Sequence, residues 1–158
     1  MIYGVTGHRD VEQEPGELLA FARLFVARIA EEGCSEIITG MARGWDLTVA
    51  RAAFDLGVPY CAAIPFAGQP DNWAEAEQVE WAWAVTRCSR RVVVSPFKLN
   101  VAYERRNEWI VNDCHELCSL WDGRAYGGTR HCVLYAEGLG HTVRPLWEPW
   151  TRFRAERN

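Results

Sequence analysis

Three turns in this chain carry the residue types that hold anions: Val5-Thr6-Gly7-His8-Arg9, Thr39-Gly40-Met41-Ala42-Arg43-Gly44-Trp45-Asp46, and Asp122-Gly123 leading to Gly127-Gly128-Thr129. Each falls where a strand-like apolar run gives way to a helical pattern. A helix start presents unpaired backbone N–H groups at the positive end of the helix dipole, and glycine removes the Cβ that would keep a phosphate or carboxylate away from them. Taken singly, a glycine after a strand is an ordinary tight-turn residue. Three such turns converging on one sheet edge would make an anion site.

The elements that must position these turns alternate along the chain. Ile2 to Thr6 predicts a short strand, and Pro15 to Glu32 a helix with Leu18, Phe21, Ala22, Phe25 and Ile29 on one stripe. Strands follow at Ile37 to Thr39, Tyr60 to Ile64, Arg91 to Ser95, Leu117 to Trp121 and Thr142 to Leu146; helices lie between them at Asp46 to Leu56, Trp73 to Arg87, Val101 to Asp113 and Thr129 to Gly138. The run Val92-Val93-Val94 reads as a strand covered on both faces. Six strands joined by five crossovers predict a Rossmann-like, doubly wound α/β fold, with a mainly parallel six-stranded sheet and helices on both faces. In such a sheet, ligands bind beyond the carboxyl ends of the strands, where the strand order reverses, and every marked turn lies on that edge.

Composition limits the partners. At 158 residues with 49% hydrophobic content the chain is a globular domain, expected over residues 1–150 with a short basic tail at 151–158. Seventeen Lys and Arg against 21 Asp and Glu give a net charge of -4, which repels a nucleic-acid backbone unless the basic residues cluster. Lys98 is the single lysine, so the cations are arginines, whose planar fork suits phosphate and carboxylate. The six cysteines have no CxxC pairing, and no secretory signal or membrane-length apolar run accompanies them, so reduced thiols in a cytoplasmic protein without a membrane partner are expected. Cys114, His115 and Cys118 lie close together, but the chain passes from helix to strand there and no fourth ligand is evident; buried thiols rather than a metal site are expected.

The marked segments, taken together, resemble the YpsA-type branch of the SLOG superfamily, the Rossmann-like group that joins the DNA-processing protein DprA to the LOG phosphoribohydrolases. The resemblance rests on Val5-Thr6-Gly7-His8-Arg9; Gly40-Met41-Ala42-Arg43-Gly44-Trp45-Asp46-Leu47; Ala63-Ile64-Pro65-Phe66-Ala67-Gly68-Gln69; Val94-Ser95-Pro96; Arg106-Asn107-Glu108-Trp109-Ile110-Val111; Trp121-Asp122-Gly123; and Gly127-Gly128-Thr129. It implies a pocket for a nucleotide or nucleotide-derived ligand, with no further cofactor required. Thr6, Gly7, His8 and Arg9 would line the first turn, and Gly40, Met41, Ala42 and Gly44 would bring main-chain N–H groups to an anion. Asp46 would serve the helix N-terminus or accept hydrogen bonds from ribose hydroxyls. Ser95, Pro96, Arg106, Asn107 and Asp122 would complete the ligand contacts. Gly127, Gly128 and Thr129 are the strongest phosphate candidates, since two glycines expose the backbone and Thr129 can cap or donate. His8 is weighted to ligand contact over general-base work, because no carboxylate partner can be identified in sequence.

Departures from the pattern restrict the chemistry. LOG hydrolases resemble one another in a PGGxGTxxE segment whose glutamate acts on the glycosidic bond; here the segment reads Gly127-Gly128-Thr129-Arg130-His131-Cys132-Val133, without the acid. Asn112 stands where related sequences tend to carry aspartate. Binding or sensing of a nucleotide derivative is therefore the first expectation. An N-glycosidic hydrolase of nucleoside phosphates is the second, with Asp46, Glu104 or Asp122 as its acid, and a DprA-like single-stranded DNA binder is the third. Arg87, Arg90 and Arg91, or Arg152, Arg154 and Arg157, would supply the basic patch that the third requires. Trp81 and Trp83, two positions apart, cannot share one helix face, so an exposed tryptophan seated in a homo-oligomer interface is expected on the third helix, rather than one stacking a base.

Overall fold

A computed structural model describes residues 1–157. Its elements are β1 (Ile2–Gly7), α1 (Glu17–Glu31), β2 (Glu36–Thr39), α2 (Trp45–Asp55), β3 (Tyr60–Ile64), α3 (Glu75–Arg87), β4 (Arg90–Val93), α4 (Val101–Asp113), β5 (Glu116–Leu120), α5 (Gly128–Gly138), β6 (Thr142–Pro145) and α6 (Trp147–Arg157). The six strands form one sheet in the order β4-β3-β2-β1-β5-β6, and every neighbouring pair is parallel. The chain steps outward from β1 to β4, then returns past β1 to lay down β5 and β6. The order therefore reverses between β1 and β5, which is where a doubly wound sheet opens a crevice.

Consecutive strand residues feed opposite faces of the sheet, as the two-residue period of a strand requires. Ile37, Tyr60, Ala62 and Cys118 join the cluster under α1 and α2, with Leu18, Phe21, Phe25, Ile29 and Trp45; Ile38, Cys61, Ala63 and Leu117 join the cluster under α4 and α5, with Ile110, Val111, Cys132 and Ala136. The stripe expected on α1 is buried along its whole length.

Three expectations change. The valine run belongs to an edge strand: Val93 is 48% exposed, and Arg90 and Arg91 are exposed beside it. A short apolar run looks the same in a central and an edge strand, and only the pairing decides. Arg90 forks onto Glu36, its Nη2 to Oε1 at 2.8 Å and its Nε to Oε2 at 3.0 Å, a charged cover of the kind that keeps an open edge from pairing further.

The expected tail at 151–158 is, over 151–157, the continuation of α6; Asn158 lies outside the described residues. Trp150 is fully buried, 5.4 Å from Phe21 and stacked on Phe153, and Arg154 Nε donates to the buried Glu17 Oε1 at 2.8 Å. The spacing Trp147, Trp150, Phe153 is the helical signal that marks this element.

On α3, Trp81 and Trp83 are both half-buried, so neither supplies the exposed face on which an oligomer interface was expected. Trp81 Nε1 donates to Gln69 Oε1 at 2.9 Å, while Trp83 lies between Arg51 and Arg87, at 4.4 and 4.6 Å, and edge-on to Phe54. Loop and neighbouring-helix partners bury what a single helix could not.

Candidate ligand-binding cavity at the strand ends

A cavity of about 700 Å³ opens at the carboxyl ends of the strands, spanning from the β5–α5 turn across β1 and β2 to the loop after β3, with α4 as one wall. Of the residues expected there, Thr6, Gly7, His8, Arg9, Ala42, Asp46, Arg106, Asn107, Gly127, Gly128 and Thr129 line it. Gly40, Met41, Gly44, Ser95, Pro96, Glu104 and Asp122 are not among the lining residues.

Gly40 is the joint of the site. A Cβ built there would lie 2.9 Å from both the Arg106 guanidinium and Asp46 Oδ2, so glycine lets a cation from α4 and a carboxyl from α2 flank one residue. The Gly40 carbonyl accepts from Arg106 Nη1 and from Gln69 Nε2, the latter at 3.1 Å. Arg106 Nε donates to Asn107 Oδ1 at 2.9 Å, and Asn107 Nδ2 donates to the Gly128 carbonyl at 3.1 Å. One chain of hydrogen bonds thus ties the second turn, α4 and the start of α5 together.

Asp46 has a different status from its neighbours. It is 4% exposed; its Oδ2 accepts only the Ala42 N–H at 3.4 Å, and its buried Oδ1 has no partner among the described residues. Burial pushes its carboxyl up to about 7, against the opposing pull of Arg106 and the Ala42 N–H. Burial also draws the Arg106 guanidinium below its ordinary value, with Asp46 opposing. A buried polar atom without a partner is costly, and a ligand donor that reached Oδ1 would relieve that cost.

The three turns do different work. At the second, two amides of the first α2 turn are committed: Trp45 N donates to the His8 carbonyl and Leu47 N to the Ala42 carbonyl, both at 3.2 Å. Gly44 has φ 79, and a Cβ there would come within 2.6 Å of the His8 and Arg9 carbonyls, so it lets α2 pack on the first turn rather than face an anion. Met41 is a core side chain with φ 61, and Ser95 turns its hydroxyl to Phe97. Gly127 and Gly128 open α5 into the cavity, and among the described residues the Gly128 and Thr129 N–H groups have no protein acceptor.

Asp122 stands against the His8 ring: its N–H donates to Nε2 at 3.0 Å, and its Oδ1 lies 3.1 Å from the same nitrogen. Burial, aided by Arg124, lowers the His8 pKa despite the opposing Asp122 charge. A neutral ring whose Nε2 accepts a hydrogen bond carries its proton on Nδ1. Asp122 itself is held well below the usual carboxylate range, first by Arg124, which reaches it with Nε at 3.0 Å and Nη2 at 2.7 Å. A carboxylate so occupied is a poor proton donor. Glu104 is exposed, two positions from Arg106 and so turned away from the cavity that Arg106 lines. Asp46 is the one of the three acid candidates that lines the cavity.

Lining residues beyond the expected set include Asp10, Arg43, Gln69, Trp73, Glu77, Tyr103, Arg124 and Tyr126. Arg124 and Tyr126 lie inside the third marked turn and were open to notice. Trp73, Glu77 and Tyr103 come from α3, α4 and the loop before α3, whose approach to this edge is a matter of packing. Elsewhere, Cys114 and Cys118 sit in different core clusters, and His115 Nδ1 accepts the Ile2 N–H at 2.9 Å. Among the described residues no three His, Cys, Asp or Glu side chains converge in a metal-holding group, and no helix is long and apolar enough to cross a membrane.

A doubly wound sheet with a polar crevice at its switch point defines the class, and the family follows from the sequence pattern that builds it. The family model YpsA, described as the YspA SLOG family, matches residues 20–138, and the chain belongs to that family. No curated protein matches significantly. Among solved structures the chain is similar to DNA processing protein A (DprA) from Streptococcus pneumoniae, at 18% identity and TM-score 0.67, over 90% of this chain and 49% of that one. It thus spans about half the length of that protein. It is similar also to DprA from Helicobacter pylori, described for its single-stranded DNA binding mode, at 12% identity and TM-score 0.65 over 92% of this chain and 64% of that one. The molybdenum cofactor carrier protein from Chlamydomonas reinhardtii matches at 15% identity and TM-score 0.59, over 98% of this chain and 85% of that one. At such identities the likeness speaks for the fold.

Proposed function

We propose that the cavity binds a phosphate-bearing nucleotide or nucleotide derivative. The observation that carries this is the convergence, in one cavity of about 700 Å³, of the α5 amides at Gly128 and Thr129, the buried Arg106 guanidinium, and the buried carboxyl of Asp46, whose Oδ1 has no partner among the described residues. The phosphate fits the α5 start, where amides and dipole favour an anion. A sugar hydroxyl fits between Arg106 and Asp46, donating to the carboxylate.

A thermal-shift panel of nucleoside phosphates tests this. A ligand at 100 times its Kd stabilises the folded state by about 2.7 kcal/mol. In Gly128→Phe the new Cβ meets only Asn107 Nδ2, at 3.8 Å, so the backbone has room for the substitution, and a ring at the α5 start is expected to crowd the phosphate. It is expected to lose the shift, and an unchanged shift would place the site elsewhere.

The raised carboxyl of Asp46 is the specific observation that favours a second reading, a hydrolase of the N-glycosidic bond, because a buried acid with a pKa near 7 can hand over a proton at neutral pH. Enzyme-dependent release of free base and ribose phosphate in the same incubations, abolished in Asp46→Asn, would replace binding by hydrolysis.

A further inference from the structure

The end of the cavity farthest from α5 is built differently from the rest. Trp73 lines it from the loop between β3 and α3, Arg43 lies over the Trp73 ring at 5.4 Å from its centroid, and Glu77 faces in from the first turn of α3, 3.6 Å from Arg43 Nη1. The platform is held firmly. Successive turns wind the loop, with Gln69 N bonded to the Phe66 carbonyl, Asp71 N to Gly68 and Trp73 N to Pro70, at 3.0 to 3.1 Å. Gln78 Nε2 clamps the same loop through the Pro70 and Asp71 carbonyls, both at 3.0 Å. Arg43 Nε is buried without an acceptor among the described residues, so the guanidinium is seated on the ring with a donor left over.

An aromatic ring, a guanidinium over it and a carboxylate paired with that guanidinium suit one ligand chemistry. Indole stacks on any π-face, and a guanidinium lies flat on the same surface that a heterocycle would take or extend. Glu77 adds selectivity, since a carboxylate accepts from an exocyclic amino group and repels a carbonyl edge. Glu77 Oε1 already accepts the Ala74 N–H at 3.3 Å, which fixes the carboxylate in place.

We propose that Trp73, Arg43 and Glu77 form a subsite for a flat, amino-bearing heterocycle, the base of the nucleotide whose phosphate lies at α5. This rests on the binding reading above. It assigns Trp73 to ligand contact and Glu77 to the choice among bases.

Calorimetry with AMP, CMP, GMP, UMP and ribose 5-phosphate on the wild-type chain, Trp73→Leu, Trp73→Phe and Glu77→Gln is the test. Trp73→Leu is expected to weaken the amino-bearing nucleotides about tenfold or more, as loss of one stacked base does, while leaving ribose 5-phosphate unchanged. Trp73→Phe should keep most of the affinity, and Glu77→Gln should narrow the margin between the amino-bearing nucleotides and UMP. Equal losses for nucleotides and ribose 5-phosphate in Trp73→Leu, or no loss for either, would overturn the subsite while the binding reading stands. Absence of binding by any nucleotide or by ribose 5-phosphate to the wild-type chain would overturn both.

Discussion

At Asp46, burial overrides the role that its place in the helix would give it. A carboxyl in the first turn of α2 would ordinarily answer the helix dipole, a matter of a few tenths to one kcal/mol in an exposed helix. Here it is buried beside Gly40 with one oxygen unpartnered and its pKa lifted from 3.8 to about 7. Between those values the folded state holds a proton that the unfolded state has released. The stability from this group is therefore complete below about pH 3.8 and drains away as pH rises to about 7. Urea titrations of wild type and Asp46→Asn from pH 5 to 8 should accordingly diverge, with the wild type losing roughly 2 kcal/mol relative to the variant as the pH approaches 7. Parallel curves would mean that the folded carboxyl titrates like an exposed one.

At the scale of elements, α4 and α6 act on the site from a distance. Arg106 and Asn107 lie on successive α4 positions and bond to the second turn and to the α5 start, so α4 sets the spacing between those two turns. Behind the first turn, Trp147 of α6 meets the His8 ring edge-on at 6.0 Å, and Trp150 fills the gap against Phe21. Removing that ring leaves a void that α1 and α6 cannot easily close. Trp150→Ala is expected to cost about 3 kcal/mol or more, read as a lowered urea midpoint with an unchanged slope. A loss below about 1 kcal/mol would mean that α6 is only loosely attached.

For the whole molecule, charge decides what reaches the cavity. The net charge is -4, and most arginines of the suggested basic patches face acids or rings: Arg90 on Glu36, Arg152 on Glu148, Arg154 on Glu17, Arg87 on Trp83. Those pairings, together with the excess of acids, weaken the pull on a polyphosphate backbone. Fluorescence anisotropy with a labelled single-stranded oligonucleotide should show weak binding, abolished by about 200 mM salt; tight binding at that salt would favour the DNA-binding reading. Much of this molecule is legible along the chain. The α/β alternation, the glycine turns at strand ends and the α5 start follow from local periodicity and from backbone conformations that only glycine tolerates, both properties of neighbouring residues. Asp46 and Thr129 could be nominated from their places beside those turns, and Arg106 and Asn107 from the family resemblance. Their partners could not. That Gly40 separates Asp46 from Arg106, that Asp122 meets His8 across 114 residues, that β4 is an edge and that Trp73 faces the cavity depend on strand order and helix docking. Those are settled by which distant surfaces bury one another, and sequence spacing carries no measure of that.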